Sequence, residues 1–571
     1  MAELATRGID VRLRALDRHT AGCQLAGTLS GGALHPTQRE RSIYRARTQS
    51  SPLKRASSIL TVTSLLGAFS CAHSRPDGCS LPGKGAWREY RSKHFQILAD
   101  EETNPTKLVA SLEELHAAVL SALVDPALET PSRIRAVVLP ARGDLANLLG
   151  PNVGGIYFRA KYDHQPTILF SADSVNRLPQ VLAHELAHLL SYYFFPRQTP
   201  WFAEGLAQFV ESVAAADSQG RRWAGGQPMN GWAGRFVPLL ETRQLFTAKR
   251  WPAGPFYITS WLLYRYLWNQ RSAQFTDYQR HLGTGESPDD AWRSSFPEWD
   301  PAKGTTMGLD TKLEYYQRHA AEGLRWEVKI GPIDRSYSSA AAPRGQLHMV
   351  LLEFELRKTN PILRNSLRRR VAQEVLREDP NYPLALLELA QLDNKPALAE
   401  IRAATTTRNS DGLSWYLLGH SATDAAEREA ALRRAVELWP ENAMAYAELA
   451  SVLVSTGRAR DALASADRAV ELAPWNATAV ASLAEVAIVL GKCKEAMVLQ
   501  TRAVEVAEAE REREGSQEVD GLRRKLANYQ SGCGGAMTRN FLGPESSSTG
   551  TPPLATVRHA SRTTESSDSS R

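Results

Sequence analysis

The chain has little cysteine and only a modest net positive charge. Five cysteines occur in 571 residues, and the formal net charge is +6. The Lys and Arg residues are spread out, and no stripe of them alternates with aromatic residues, so the sequence gives no indication of nucleic-acid binding. The hydrophobic fraction of 43% is ordinary, and a chain of this length is therefore expected to build about two or three packed domains.

An apolar run near the N terminus is too short for a comfortable transmembrane helix. Lys54 and Arg55 precede the apolar residues 56–70, and Cys71 follows them. This arrangement is typical of a secretory signal peptide, and Ala-Phe-Ser-Cys at 68–71 resembles a bacterial lipobox, in which Cys71 would carry a lipid. We expect a protein of the bacterial cell envelope, periplasmic or lipid-anchored to a membrane. An ordinary secretory signal and a buried N-terminal segment are the alternatives.

The signal peptide at 53–71 lies far from the chain start. Residues 1–52 form an Arg-rich leader, and no Met occurs between Met1 and Met229. Two explanations stay open: the leader is a gene-model extension and translation begins near residue 53 at a non-standard codon, or the leader is a disordered segment of an inner-membrane or soluble protein. Residues 72–86 are rich in Ser, Pro and Gly and predict a linker.

A His-Glu-x-x-His motif at 184–188 predicts a metal site. On a helix, His184 and His188 lie on one face, within reach of one ion. Zinc accepts imidazole nitrogen and carboxylate oxygen, and a catalytic zinc keeps a fourth position for water. Glu185 lies beside the histidines and is placed to take a proton from that water. Glu204, sixteen residues after His188, is the candidate for the third protein ligand.

The residues around the motif predict that it is buried. Apolar residues flank both histidines, and a second apolar helix carrying Glu204 follows a short Pro-bounded turn at 195–200. A buried histidine or a lone buried carboxylate is costly unless it is paired or bound to a metal. The alternative is a surface helix with two ordinary histidines, and the apolar flanks count against it. The motif in this context therefore predicts a Zn2+ site.

The motif and the later Pro-Trp-Phe-Ala-Glu-Gly-Leu-Ala segment resemble the gluzincins, specifically the peptidase-MA-like group related to thermolysin and the zinc aminopeptidases. The resemblance covers residues 87–300. It implies an α+β zincin-like metalloprotease domain, which is a small sheet plus helices. It also implies that His184, His188 and Glu204 bind zinc and that Glu185 is the general base.

The gluzincin family often places an oxyanion-stabilising tyrosine at the start of a later helix. Residues 254–267 resemble that helix, and Tyr257 is the candidate. An aromatic residue that only packs in a helix is the alternative. The chain lacks the Gly-x-Met-Glu-Asn-type substrate motif of the aminopeptidases, so the resemblance does not establish an aminopeptidase.

Short apolar segments ahead of the zinc helix predict the small sheet. In zinc proteases of this type an edge strand holds the substrate backbone by strand addition, and we expect 155–159 to be that strand. Residues 301–345 are expected to form a connecting region. The pattern predicts strands at 94–98, 134–139, 155–159 and 167–170 and a helix at 104–124.

Two stretches of the C-terminal half repeat at a spacing of 34 residues. Pro440 recurs as Pro474 and Asn442 as Asn476, and several alanines recur in the same way. This period resembles the tetratricopeptide (TPR) family over residues 441–508 and implies an all-α solenoid. Such an array offers a surface for a peptide or a partner protein, and the alternative is a structural solenoid packed on the first domain. We further predict degenerate helical repeats at 346–440, a capping helix at 509–533 and a disordered tail at 534–571.

Cys493 and Cys533 are expected to lie at the same end of the repeat array. If the protein is exported, the two cysteines are candidates for a disulfide. Two free thiols are the equally open alternative.

These observations favour an exported zinc-dependent peptidase, an endopeptidase whose metal-activated water attacks a peptide bond. Glu185 would act as the base, Tyr257 would stabilise the oxyanion, and the TPR array would recruit a protein substrate or an envelope partner. The alternative of another class is a non-catalytic TPR adaptor with a degenerate metal domain, against which the intact Glu185 counts. A third possibility is the CAAX-prenyl-protease-like periplasmic enzymes, which also carry TPR tails, but their third ligand typically lies much later than Glu204.

Overall fold

The computed structural model describes residues 86–123, 129–150, 153–159, 164–228, 237–248, 254–319, 325–514 and 519–540. The predictions for the leader, the signal peptide, Cys71 and the linker up to residue 85 lie outside the described residues. Within the described ranges, no helix is both long and apolar enough to cross a membrane.

A six-stranded mixed sheet forms the centre of the first domain. Its strand order is β4-β5-β3-β2-β1-β8, in which β2, β3 and β5 are parallel and the other pairings are antiparallel. β3 reads Ile-Arg-Ala-Val-Val-Leu and is buried at every position, as expected of a central strand covered on both faces. The strands of this sheet are β1 (Trp87–Arg91), β2 (Phe95–Asp100), β3 (Ile134–Leu139), β4 (Gly155–Arg159), β5 (Pro166–Ser171) and β8 (Ser338–Ala341).

The two faces of the sheet bury alternate residues against different helices. On one face, Ile97 and Val138 belong to the core formed with the helices that carry the metal motif. On the other face, Leu98 and Val137 pack with two further helices, α2 and α11. The helices of the first domain are α1 (Pro105–Leu123), α2 (Arg142–Leu149), α3 (Ala172–Arg177), α4 (Pro179–Phe194), α5 (Pro200–Val210), α6 (Thr242–Thr247), α7 (Pro255–Gln270), α8 (Ser272–Gly283), α9 (Pro288–Ser295), α10 (Met307–His319) and α11 (Arg344–Lys358).

Residues 301–345, which were predicted to connect two domains, instead complete the first one. The buried side chains of α10 pack into the core beside the helices that carry the predicted metal ligands. β7 (Trp326–Val328) pairs with β6 (Arg222–Ala224), and β8 adds the outer strand beside β1. The predicted boundary at residue 300 therefore falls inside the domain, because the partners of these short strands lie more than a hundred residues earlier in the chain.

The C-terminal half is an all-α stack of antiparallel helix pairs. Asn442 and Asn476, which recur at the 34-residue spacing, are the N-caps of α17 and α19, and their side chains accept hydrogen bonds from backbone N–H groups of the first turn. The recurring Ala462 and Ala496 are fully buried where paired helices cross closely. The helices of the array are α12 (Arg364–Glu378), α13 (Pro383–Leu392), α14 (Leu398–Thr407), α15 (Gly412–Ser421), α16 (Ala425–Leu438), α17 (Ala443–Ser455), α18 (Ala459–Leu472), α19 (Ala477–Val489), α20 (Cys493–Glu514) and α21 (Val519–Asn540).

The ends of the array differ from the predicted boundaries. α11 was assigned to the degenerate repeats, but Leu347 and Phe354 on one side of it cover the sheet, while Met349 and Leu352 on another side pack with the repeats. At the other end, α21 extends to residue 540, so residues 534–540, which were predicted to belong to a disordered tail, are helical. The rest of the predicted tail, residues 541–571, lies outside the described residues.

A disulfide closes the C-terminal end of the array. Cys493 is the first residue of α20, and Cys533 lies in α21, with their Cα atoms 5.8 Å apart. The structure thus selects the paired arrangement for two cysteines whose pairing the sequence left open.

Candidate metal centre

Two neighbouring helices carry the predicted metal ligands. α4 begins with a proline at its first turn and carries His184 and His188 on one face, and α5, after the loop at 195–199, carries Glu204. α4 packs against β4, β5 and α5. His188 and Glu204 are buried, and His184 is partly exposed. The sheet and the close packing of the two helices therefore fix the relative positions of the three side chains.

The three predicted ligands converge on one point. The Nε2 atoms of His184 and His188 are 3.0 Å apart. The carboxylate oxygens of Glu204 lie 3.4 Å from each of these nitrogens. In a tetrahedral zinc site with bonds of about 2.0–2.1 Å, ligand atoms are separated by about 3.3 Å. Within the described residues, this is the group of His, Cys, Asp and Glu side chains that could hold a metal ion.

The chemistry of these side chains fits Zn2+. Two imidazole nitrogens and one carboxylate oxygen are a ligand set of catalytic zinc sites. Oε2 of Glu204 and Nδ1 of His188 are buried without a hydrogen-bond partner, and a buried carboxylate oxygen without a hydrogen bond is costly unless a cation compensates it. Burial raises the pKa of Glu204, but the positive charge of His188 and His184, whose Nε2 atoms lie 3.4 Å from its carboxylate oxygens, outweighs burial and holds that pKa well below its ordinary value. Glu204 is thus an anion that the protein keeps ionised.

Glu211 orients the first histidine, and the sequence analysis missed it. This residue lies in a 3₁₀ turn directly after α5, and its Oε1 is 2.8 Å from Nδ1 of His184. A carboxylate that accepts a hydrogen bond from Nδ1 leaves the Nε2 lone pair of the imidazole free for a metal. Burial lowers the pKa of His184, whereas Glu204 and Glu211 together raise it well above its ordinary value. The sequence signal that could have indicated Glu211 is an acidic residue shortly after Glu204, the predicted third ligand.

Glu185 lies beside the ligands in a different environment. Its Oε2 accepts a hydrogen bond of 3.0 Å from the backbone N–H of Tyr157 in β4. Burial raises the pKa of Glu185, and the two histidines and this hydrogen bond only partly oppose the rise. The side chain is therefore a carboxylate of increased basicity next to the point where the ligands converge. These are the properties that a general base requires.

Tyr257 lies at the start of α7, as the sequence predicted. Its ring is half-buried, and its pKa is raised by burial first and then by the charges of Glu204 and Glu185. Gln208, one turn after Glu204, donates a hydrogen bond of 3.0 Å to the backbone carbonyl of Tyr257 and ties α5 to α7. The phenol is therefore protonated at neutral pH, and it lies close enough to Glu204 and Glu185 for their charges to raise its pKa. Its role as an oxyanion donor stays a prediction.

β4 is an edge strand, and one of its borders faces the metal centre. It pairs with β5 on one side, and the N–H of Tyr157 points the other way, toward Glu185. In an antiparallel pair, backbone groups that do not bond to the partner strand point to the opposite border. The ring of Tyr157 also stacks on His188, with centroids 5.1 Å apart. Among the described residues, no second strand pairs with β4 on this border, which runs beside the predicted ligands.

No protein-family model and no curated protein matches this chain. Solved structures of helical-repeat proteins do match it. A crystal structure of MamA is 23% identical, covers 26% of this chain and 91% of its own, and has a TM-score of 0.22. The TPR protein TTC0263 of Thermus thermophilus is 20% identical, with coverages of 32% and 98% and a TM-score of 0.25. The TPR2AB domain of yeast Sti1, in a complex with pHSP90, is 14% identical, with coverages of 50% and 96% and a TM-score of 0.19. Because all three TM-scores are low, the assignment of TPR-like repeats in this chain is based on the 34-residue spacing and the paired helices described above.

Proposed function

We propose that this chain is a zinc-dependent peptidase of the gluzincin type, and that it acts as an endopeptidase. The observation that carries the proposal is the convergence of three ligand atoms from His184, His188 and Glu204, within 4.8 Å of one another, beside the half-buried side chain of Glu185. This arrangement supplies a site for Zn2+ and a base in the same place.

The side chains of this centre divide the chemistry among them. When bound, Zn2+ would polarise the peptide carbonyl and lower the pKa of a coordinated water. Glu185 takes the proton of that water at its carboxylate and passes it to the leaving amine, and its raised pKa suits both transfers. The hydroxyl of Tyr257 donates a hydrogen bond to the oxygen on which negative charge develops. Glu211 holds the ring of His184 in the orientation that directs Nε2 at the metal.

The border of β4 that faces away from β5 is the proposed binding site for the substrate backbone. An extended peptide laid along it would gain main-chain hydrogen bonds independent of sequence. Since the N–H of Tyr157 faces the same border as Glu185, a peptide held there lies next to the proposed base. This arrangement suits cleavage within a chain, because neither end of the peptide has to be recognised.

The test compares the wild type with Glu185→Gln, and Glu314→Gln serves as a control because Glu314 is exposed on α10. We expect the wild type to bind zinc and to cleave casein. Glu185→Gln should keep the metal and lose activity by about 10²–10⁴-fold, the usual contribution of a general base. Equal activity in the Glu185→Gln protein, or a wild type that retains no zinc, would disprove the proposal.

The repeat array favours a second candidate function, a non-catalytic adaptor that binds proteins through its TPR-like helices. The supporting observation is the regular stack, in which α17 packs against both α18 and α19 and neighbouring pairs form a continuous surface. If the adaptor function is right, the wild type should cleave no casein, and His184→Ala should leave the association with the protein partner unchanged. In the peptidase reading the array recruits a protein substrate or partner for the metal centre.

We also propose a location in the bacterial cell envelope. The disulfide between Cys493 and Cys533 supports it, because such bonds persist in oxidising compartments. Attachment to a membrane through a lipid at Cys71 is the finer part of this proposal. Cys71→Ser should move the protein from the membrane fraction to the soluble fraction if the lipid is present.

A further inference from the structure

The repeat array contacts the first domain beside the metal centre, through Trp475. This buried residue lies in the loop between α18 and α19, and its ring packs edge-on against Tyr193 of α4, with centroids 4.4 Å apart. The guanidinium carbon of Arg159, at the end of β4, lies 4.8 Å from the ring of Trp475 and 4.8 Å from that of Tyr192. An arginine held between two aromatic faces gains a cation–π interaction on each side. Trp475 thus holds the end of β4 against α4.

A short series of contacts leads from this point to a predicted metal ligand. Tyr157 lies two residues before Arg159, so both side chains leave the strand on the same face. The ring of Tyr157 is 6.4 Å from that of Tyr192 and stacks at 5.1 Å on His188. The backbone N–H of Tyr157 meanwhile holds Glu185. The position of β4 therefore affects a ligand and the proposed base together.

The array also contacts the loop that joins the two ligand helices. Arg197, between α4 and α5, forms an ion pair of 2.9 Å with Glu505 of α20 and donates a hydrogen bond of 2.9 Å to the carbonyl of Gly285. The side chain of Arg197 is only 14% exposed, so the pair is screened less by solvent than a surface ion pair. A third link at the same interface is the ion pair between Arg133 and Glu441, at 2.6 Å.

We propose that the TPR-like array is a positioning part of the metal centre. Trp475 holds the substrate-side strand β4 through Arg159, and Glu505 holds the loop between the ligand helices through Arg197. The inference rests on the proposed metal site. It goes beyond the recruitment of a partner, because the array would then also be necessary for the geometry of the predicted ligands and of the border of β4 beside them.

The experiment uses Trp475→Ala and Glu505→Gln in the full chain, each with a matched control in the array. Trp415→Ala removes a half-buried indole that bonds only within its own repeat region, to the carbonyl of Asn409. Glu485→Gln breaks an ion pair with Lys525 of α21, away from the first domain. The measurements are zinc affinity by competition with a chelator, amide hydrogen exchange in the metal-free protein, and kcat and KM for a peptide.

We expect Trp475→Ala and Glu505→Gln each to weaken zinc binding by about 10-fold, the lower end of the effect of residues that orient metal ligands. Exchange should accelerate in β4 for Trp475→Ala and in residues 195–199 for Glu505→Gln. KM should rise more in Trp475→Ala, because the substrate strand is loosened. The controls should match the wild type in all three measurements.

The inference is overturned if Trp475→Ala and Glu505→Gln both keep the zinc affinity and the exchange rates of the wild type. It is also overturned if the two control variants change these quantities as much as the interface variants do. Glu505→Gln preserves shape and keeps the test decisive if Trp475→Ala does not fold. A protein that binds zinc but cleaves no peptide would contradict the peptidase proposal, while zinc affinity and exchange still decide this inference. If the wild type binds no zinc, the exchange rates decide it alone.

Discussion

At the residue scale, the candidate centre contains two glutamates, the buried Glu204 and the half-buried Glu185, whose pKa values shift in opposite directions. Glu204 faces both histidines, which hold its pKa well below the ordinary value. Burial raises the pKa of Glu185, and the nearby histidines only partly oppose this rise. Two carboxylates with separated pKa values are how protein sites divide the roles of ligand and base. One residue type is thus given two different environments, which suit the two roles predicted for Glu204 and Glu185.

Glu211→Gln tests whether Glu211, which is not among the predicted ligands, orients the predicted metal ligand His184. The amide keeps the shape of the side chain but is a weaker acceptor for the Nδ1–H of His184, so the ring loses part of its preferred orientation and basicity. We expect zinc affinity to fall by about 10-fold, within the usual range for such partners. Glu314→Gln is the control, and chelator competition is the measurement. Unchanged affinity in Glu211→Gln would show that His184 needs no partner at Nδ1.

At the element scale, the position of Glu204 depends on how closely α5 approaches α7. Gly205 directly follows Glu204, the predicted third ligand, and a Cβ added there would lie 2.6 Å from the carbonyl oxygen of Ser260 and 2.8 Å from Cβ of Tyr264. Both contacts are with rigid parts of α7, so neither can move aside without a shift of a helix. The glycine therefore sets the distance between the two helices.

Gly205→Ala should destabilise the first domain and disturb the metal centre. Forcing a methyl group into such a contact costs about 1–3 kcal/mol, and the displacement of α5 should lower zinc affinity as well. Gly143→Ala in α2 is the matched control, because an added Cβ there meets nothing within 4 Å, and it should stabilise the helix by up to about 1 kcal/mol. Thermal unfolding with and without zinc measures both effects. A Gly205→Ala protein as stable as Gly143→Ala would contradict the packing argument.

At the scale of the whole molecule, the chain is a sheet domain and a helical array joined by α11. The array ends at the disulfide between Cys493 and Cys533, which links residues 40 positions apart. Terminal repeats lack a neighbour on one side and are the first to fray. The covalent link lies where the array has least support from packing.

Reduction of this disulfide should destabilise the end of the array by about 2–4 kcal/mol, because the cross-link restricts the unfolded chain. We expect dithiothreitol to lower the denaturation midpoint of the wild type, followed by the helical signal in urea. The double variant Cys493→Ser, Cys533→Ser should start at the lower midpoint and show no response to the reductant. A response of equal size in both proteins would exclude the disulfide as its cause.

The sequence by itself determined the local features of this protein. It predicted β3 and β4 with the bounds that the structure has, the 34-residue repeat with Asn442 and Asn476 at equivalent positions, and the His184–His188 spacing that places two rings on one helix face. Each of these depends on residues close together in the chain, whose hydrogen-bond periodicity or side-chain direction is fixed by local geometry. The zinc ligands follow from the same spacing and stay a prediction.

Only the tertiary structure decided what these features contact. It brought Glu211 to His184, added β8 to a sheet that begins at Trp87, paired the two cysteines and placed Trp475 against β4. Each of these contacts joins residues on different elements, and most of them lie far apart in sequence. Their identity is set by how whole faces of helices and strands bury one another, and this burial leaves no fixed spacing in the sequence.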